Sequence, residues 1–402
     1  MVLAQCLGTS LWFSPAGAAS GLMARWQLQG SEFSWLLAAT QLGFIGGSLL
    51  LALTGLADRW PASRIFAVSC VAGALANAAL VLPGLTFGAA WWGRVLVGVC
   101  LAGIYPLGMK LVVQWVGEKP APALAWLVAM LTLGTAMPHA LRAFGVQWPW
   151  QDVLAGASLL ALVGGALVAA VGDGAFKPAL PPAVRLGMQE LRALVRSPGL
   201  RASAGGYFGH MWELYAFWAV VPVLCGSIAR SSVALAPSQD AAAWLVWLDA
   251  LVIGVGALGC LLGGYAVRAV GSAKVACIAL AGSGLACVLY PLVPETDILW
   301  RVLLLVLWGV LVVADSPQFS ALSSQAAPPQ LLGLALVLQN GMGFLISVAS
   351  ILLLGSLMDR WGERALWILL PGPLLGVWAM RTLVWPGVSR DSRNRRPVQE
   401  KD

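Results

Sequence analysis

Long apolar runs separated by short polar connections set the pattern of this chain. Windows of about 18 or more mostly apolar residues fall at 2–24, 34–57, 64–84, 88–113, 122–144, 150–172, 203–227, 241–266, 273–293, 297–321, 331–357 and 364–386. Each can cross a hydrocarbon core roughly 30 Å thick as a helix. The pattern therefore predicts an all-α membrane protein with twelve transmembrane helices. Gly and Pro punctuate the runs, which lipid-embedded helices tolerate where neighbours satisfy the freed backbone groups. Residues 2–24 carry no basic run followed by a small-residue cleavage site, so they read as the first helix and not as a removed signal.

Composition narrows the picture. Of 402 residues, 59% are hydrophobic and 10% charged, against roughly 25% charged in soluble proteins. Too few polar groups exist to cover a water-facing surface, which excludes a soluble enzyme. Twelve spans leave room for short connections but for no sizeable extramembrane domain. The formal charge of +7 is sorted by loop: with the amino terminus inside, the larger share of Lys and Arg lies on the inner side. The excess is a topology signal and not a nucleic-acid footprint. The expectation is a monomeric, integral multi-pass protein of the bacterial inner (cytoplasmic) membrane, both termini cytoplasmic, with no nucleic-acid partner. The 7 Cys residues are odd in number, scattered through apolar runs and without a CxxC pair, so neither a disulfide framework nor a metal site is expected.

The longest connection, 173–202, is Pro-rich and then basic (Lys177, Arg185, Arg192, Arg196, Arg201), and Arg185–Arg196 has the spacing of a short amphipathic surface helix. It divides the chain into an N-terminal six-helix half (1–172), a cytoplasmic linker (173–202), a C-terminal six-helix half (203–386) and a basic cytoplasmic tail (387–402) with Arg390, Arg393, Arg395, Arg396 and Lys401. Sliding the sequence along itself gives an ungapped match at an offset of 209: Gly55, Ala57, Arg59, Ser63 and Gly73 meet Gly264, Ala266, Arg268, Ser272 and Gly282. Arg94-Val-Leu and Arg301-Val-Leu agree within two residues of that offset. The two halves read as a duplication.

The loop after the second run reads Thr54-Gly55-Leu56-Ala57-Asp58-Arg59-Trp60-Pro61-Ala62-Ser63-Arg64. It resembles the loop signature of the Major Facilitator Superfamily, Gly-x-Leu-Ala-Asp-Arg-x-Gly-Arg-Arg, with Pro61 where Gly is usual and the basic cluster reduced to Arg59 and Arg64. The resemblance implies two pseudo-symmetric six-helix bundles and a gating loop, Asp58, Arg59 and Arg64, that braces the halves in one conformation. Physically, such charges either latch a neighbouring helix terminus or merely obey charge sorting. Arg94-x-x-x-Gly98 in the fourth helix resembles the family's second signature, whose buried Arg accompanies proton movement; Arg94 either does so or snorkels to the interface. Lys110, near the inner end, reads as a snorkelling residue.

Titratable residues deep in the runs are the remaining signal, because a charge in lipid is costly and marks function by default. Glu213 lies about 15 Å from the inner boundary. His210, three residues earlier, shares its face, with Tyr207 a turn below, so His210 and Glu213 form a candidate proton-coupling pair with Arg94. Candidate substrate-cavity residues are Tyr207, His139, Asp315, Gln318, Gln339 and Asn340. His139 either lines the route or donates to a carbonyl freed by Pro138; Asp315 shares a face with Gln318, and Pro317 can break the helix there. Asp249 is either a cavity residue or half of a helix-locking pair. Most of the 20 Trp residues fit interfacial belts, with Trp212 and Trp218 close to Glu213.

Two histidines in different helices and no HExxH or GxSxG context assemble no catalytic site, and no cofactor is expected. The chain reads as a secondary active transporter that moves a small organic solute by alternating access, with protons and the lipid bilayer as further partners. A non-transporting membrane receptor or structural protein is the alternative. Within transport, the sequence does not separate drug or metabolite efflux from organic-anion uptake.

Overall fold

The computed structural model describes residues 1–117, 121–145, 148–176, 187–235 and 244–384, and within these all side chains but those of residues 58, 121, 122, 235 and 329. Among them, 10 helices are long and apolar enough to cross a membrane. Two local features reconcile this number with twelve spans. The first span is segmented into Val2–Thr9, Ser14–Gly17 and Ala19–Trp26, so no single piece reaches membrane length. The last helical stretch, Leu332–Val384, has 53 residues, about 80 Å if continuous. Gly362, in the left-handed region at φ +57°, ends the helix Leu332–Trp361; a 3-10 segment Gly362–Leu369 and the helix Pro371–Val384 return the chain. The described helices thus accommodate twelve passes.

The intervening spans are Gly30–Thr54, Ala62–Ala78, Phe87–Val116, Ala121–Phe144 and Trp150–Val171, then Pro198–Leu235, a kinked eighth span (Leu248–Gly254 and Gly256–Val270), Ser272–Leu289, and a broken tenth (Ile298–Ala314 and Ser316–Ala326). The seventh helix begins at Pro198, earlier than the expected 203, so the last residues assigned to the linker are helical. Within the linker, Met188–Arg196 is helical, the latter part of the expected 185–196 helix; Lys177 and Arg185 lie outside the described residues. The tail at 387–402 lies outside the described residues.

Proline chemistry explains the breaks in the first and tenth spans. A proline ring collides with the carbonyl four residues earlier and donates nothing to it. Pro15 frees the Leu11 carbonyl, which accepts from Ser14 Oγ at 3.0 Å and from Arg94 Nη2 at 2.9 Å. Pro317 frees the Val313 carbonyl, which accepts from Cys260 Sγ at 3.5 Å.

The first six spans pack on one another chiefly through the pairs 2–4, 3–4, 3–6, 1–5 and 1–6, and the last six through 7–12, 7–11, 8–10, 9–12 and 9–10. Between the two sets, span 2 lies along span 11 and span 5 along span 8. One crossing occurs in both sets. A side chain on Gly98 would run into the Thr40 carbonyl and Phe44 amide of span 2, and one on Gly309 into the Val252 carbonyl of span 8. Only a bare Cα lets the backbones approach so closely, the small-residue logic of membrane helix packing.

Replacing Gly98 with Leu should therefore separate spans 2 and 4 and destabilise the protein by at least the roughly 1–3 kcal/mol typical of overpacking. Thermal unfolding of purified protein in detergent checks it; Gly88→Leu, where no atom lies within 4 Å of the added Cβ, should leave the melting point in place.

Candidate functional site

The break in the first span organises the centre of the molecule. Arg94, on the fourth span, is fully buried and directs its donors into that break and onto the neighbouring second and third spans. Nη2 donates to the carbonyls of Leu11 and Trp12 at 2.9 and 2.8 Å; Nε donates to Thr40 Oγ1 at 3.1 Å; Nη1 donates to Asn77 Oδ1 at 2.9 Å and Ser14 Oγ at 3.3 Å. Asn77 in turn donates to the Leu154 carbonyl and Ser158 Oγ, both at 3.0 Å. One guanidinium thereby ties spans 1, 2 and 3 together and, through Asn77, span 6. The snorkelling alternative for Arg94 is set aside by this burial. Arg301, its counterpart in the sequence repeat, instead pairs with Glu363 and with Tyr290 Oη.

Holding the break open places Trp12 and Phe13 on the axis between the two sets of spans. They meet Phe44, Tyr215, Trp218 and Phe344: Trp12 lies 5.1 Å from Phe44 and 5.8 Å from both Tyr215 and Phe344, Phe44 lies 4.4 Å from Phe344, and Phe13 lies 5.9 Å from Trp218, ring centre to ring centre. Offset and edge-on rings at such distances gain about 0.5–1.5 kcal/mol per pair beyond their buried area. Spans 1, 2, 7 and 11 build this aromatic partition jointly.

A cavity lies on each side of it. Toward the linker end, a chamber of about 80 Å³ is lined by both sets of spans, including Tyr105, Thr132, Tyr207, His210, Ser316 and Asn340. Toward the opposite end, a vestibule of about 330 Å³ carries Arg230, Glu295, Asp359 and Glu363. The described residues lining the smaller chamber include no Lys, Arg, Asp or Glu. Its one imidazole is backed by an acid: His210 Nδ1 stands 2.8 Å from Asp315 Oδ1, and Nε2 stands 2.9 Å from Ser316 Oγ. The break of span 10 brings Asp315 to the N-terminus of the helix Ser316–Ala326, where the helix dipole favours a negative charge.

The sequence candidates separate accordingly. Tyr207, His210 and Asn340 line the chamber, and Asp315 stands directly behind His210. Glu213 and His210 do not join as the spacing predicts. Their side chains diverge around the seventh helix, and Glu213 accepts from Trp308 Nε1 and Ser283 Oγ, each at 2.7 Å. His139 lies away from the chamber, where its Nδ1 is 3.6 Å from Asp249 Oδ2 across the span 5–span 8 contact. Gln318 is buried outside the lining, and Gln339 accepts from Ser323 Oγ at 2.6 Å. Trp218 belongs to the partition, while Trp212 donates to the Ile368 carbonyl at 2.9 Å.

Of the gating-loop residues, Arg59 and Arg64 are exposed, and the Asp58 side chain lies outside the described ones. Among the described residues, two further groups tie the loop. Lys110 is half-buried and donates to the Ala57 carbonyl, and Asp173 accepts from the amides of Ala62 and Ser63 at 3.1 and 2.8 Å. Burial opposes ionisation of Asp173, but the bonds from Ser63 and Ala62, with Lys110 nearby, together hold its carboxyl below the usual carboxylate range. Its contribution is present above that range and fades as pH falls through the lowered value. At the opposite end, Asp359 of span 11 accepts from the Ser31 amide at 2.9 Å, capping the start of span 2 across the contact between the two sets.

Asn77, Asp359, Asp173, Ser283 and Trp308 escaped the sequence reading. Asn77 carried a usable signal, a strong hydrogen-bonding group inside an apolar run. The others carried none.

The Major Facilitator Superfamily profile matches residues 1–351. Among solved structures, the crystal structure of a point mutant of the nucleoside transporter NupG is similar, with a TM-score of 0.71 at 14% identity, covering 95% of this chain and 98% of that one. At that identity the likeness is one of fold. No curated protein sequence matches the chain.

Two outcomes follow from the site. Asn77→Ala leaves the Arg94 Nη1 donors short of an acceptor in a buried setting and should cost about 1–3 kcal/mol, read as a lowered melting point. Asp359→Ala removes the bond from span 11 to the start of span 2, which keeps its own Gln29–Glu32 cap, so a cysteine placed at Ser34, buried beside Gly355, should react with a maleimide faster than in an otherwise unchanged protein.

Proposed function

Because the chain belongs to the Major Facilitator Superfamily and is thereby an integral multi-pass membrane protein and a secondary transporter, not an enzyme, we propose that its cargo is a small uncharged organic solute and that His210 with Asp315 couples its passage to protons. The observation that carries the reading is the juxtaposition of an acid-backed imidazole, 2.8 Å from its carboxylate, with a chamber whose described lining is otherwise aliphatic, aromatic, amide and hydroxyl. A charged solute would find no fixed opposite charge on those walls. Rings stack on planar groups, and Asn340, Ser316 and Thr132 supply the few polar contacts that set orientation.

The coupling follows from tautomer chemistry. With the proton on Nδ1, the nitrogen 2.8 Å from Asp315, the neutral imidazole accepts from the Ser316 hydroxyl through Nε2. A second proton on Nε2 turns that nitrogen into a donor, so Ser316 must reverse its bond and present its own hydrogen elsewhere. Ser316 lines the chamber, and the reversal changes what the wall offers a solute. Protonation and binding are then linked through one hydroxyl.

Alternating access supplies the movement. In this proposal residues 1–172 and 203–386 act as the two halves, joined by the linker 173–202, and rock about the span 2–span 11 and span 5–span 8 contacts. At about 80 Å³ the chamber is below the roughly 300 Å³ of ordinary ligand pockets, so it must widen to accept cargo. Parting the aromatic partition joins it to the vestibule. The His139–Asp249 pair and the Asp359 cap hold the opposite end together until then.

The test uses purified protein in proteoliposomes, with a panel of uncharged heterocycles and sugars beside organic anions and cations. Asp315→Asn should abolish uptake driven by a pH gradient while leaving solute exchange, and Glu213→Gln, away from the chamber, should retain at least part of the driven flux. Driven flux intact in Asp315→Asn, or transport confined to charged solutes, would overturn the proposal.

A further inference from the structure

A second apolar recess lies at the linker end, outside the path between the two sets of spans. The helix Met188–Arg196 lies against the start of span 7, pinned by buried Leu194, which packs with Leu200, Ala327 and Ala335. Beside this anchor runs a groove of about 420 Å³ between the linker helix, span 7 and span 11. Leu191, Val195, Phe208, Leu338 and Met342 line it, and Arg201 stands in its wall. Leu191, Val195, Leu338 and Met342 are exposed although apolar.

The dimensions and the charge identify an occupant. From Leu200 to Phe208 the groove follows span 7 for about 12 Å, close to the depth of one leaflet in a core roughly 30 Å thick. The positive charges gather at one end of it. Arg192 and Arg196, one turn apart on the linker helix, and Arg201 are exposed. Among the described residues their side chains have neither a hydrogen bond nor an ion pair. The acid on that helix is Glu190. A helix with a basic face and an apolar face lies in the membrane interface, and this one lies over an apolar trench.

We propose that the groove binds an anionic phospholipid, its acyl chain along Phe208, Leu338 and Met342 and its phosphate at the arginines of the linker helix and Arg201. The inference is independent of the cargo and of proton coupling. It gives the segment joining the two sets of spans a ligand of its own, so the lipid composition of the leaflet acts on the connection between them.

Native mass spectrometry of the full chain in detergent, titrated with dioleoyl phosphatidylglycerol or dioleoyl phosphatidylcholine, tests it. The wild type should retain the anionic lipid in preference. Removing two arginines in Arg196→Gln/Arg201→Gln should weaken that binding roughly twentyfold, about fivefold per basic residue near an anionic surface. The matched pair Arg268→Gln/Lys274→Gln, two exposed basic residues away from the groove, should leave it unchanged. Leu338→Trp, which fills the trench and keeps every arginine, should displace the lipid as well. Equal retention of the two lipids, undiminished preference in the arginine pair, or full binding in Leu338→Trp would each overturn the assignment. So would competition by free glycerol phosphate at lipid concentrations, which would mark a site for soluble anions.

Discussion

A buried guanidinium that has met every one of its donors with neutral acceptors is the constraint on which the rest of this protein depends. Arg94 in a low-dielectric interior is tolerable only because Leu11, Trp12, Ser14, Thr40 and Asn77 converge on it, and the first three are available because the first span is opened at Pro15. The break and the arginine require each other. A continuous first helix would leave the carbonyls of Leu11 and Trp12 occupied and the charge unsolvated. An open helix without the arginine would leave the Trp12 carbonyl bare in a membrane interior.

That mutual requirement determines what stands on the axis. The opened segment turns Trp12 and Phe13 inward, where they join rings from spans 2, 7 and 11. The last six spans solve their polar problems differently. Glu213 is satisfied by Trp308 and Ser283 within one set of helices, so it acts as a bolt between spans 7, 9 and 10. The His210–Asp315 pair reaches the chamber. Two acids in neighbouring parts of the bundle therefore meet different surroundings, set by the partner of each.

Much of the fold was written in the periodicity. The apolar runs located the spans, and Pro317 pointed to the break beside Asp315. The surface helix in the linker was legible from the spacing of its basic residues. The site was legible only in part. Residue type and depth singled out His210, Glu213, Asp315 and Tyr207, yet the spacing of three between His210 and Glu213 suggested a pair that tertiary packing did not make. Along one helix, sequence gives adjacency. Across helices, the partner is chosen by contacts that no local pattern encodes, so Trp308, Ser283 and Asp359 could not be read in advance. The segmented first span shows the same limit, because its hydropathy is that of an unbroken helix.

The aromatic partition has an electrical consequence. Its six rings are buried and fill the space between the chamber and the vestibule with bulk that leaves no room for a continuous file of water. A file of water through that position would short-circuit the membrane, draining the very gradient that a coupled carrier consumes.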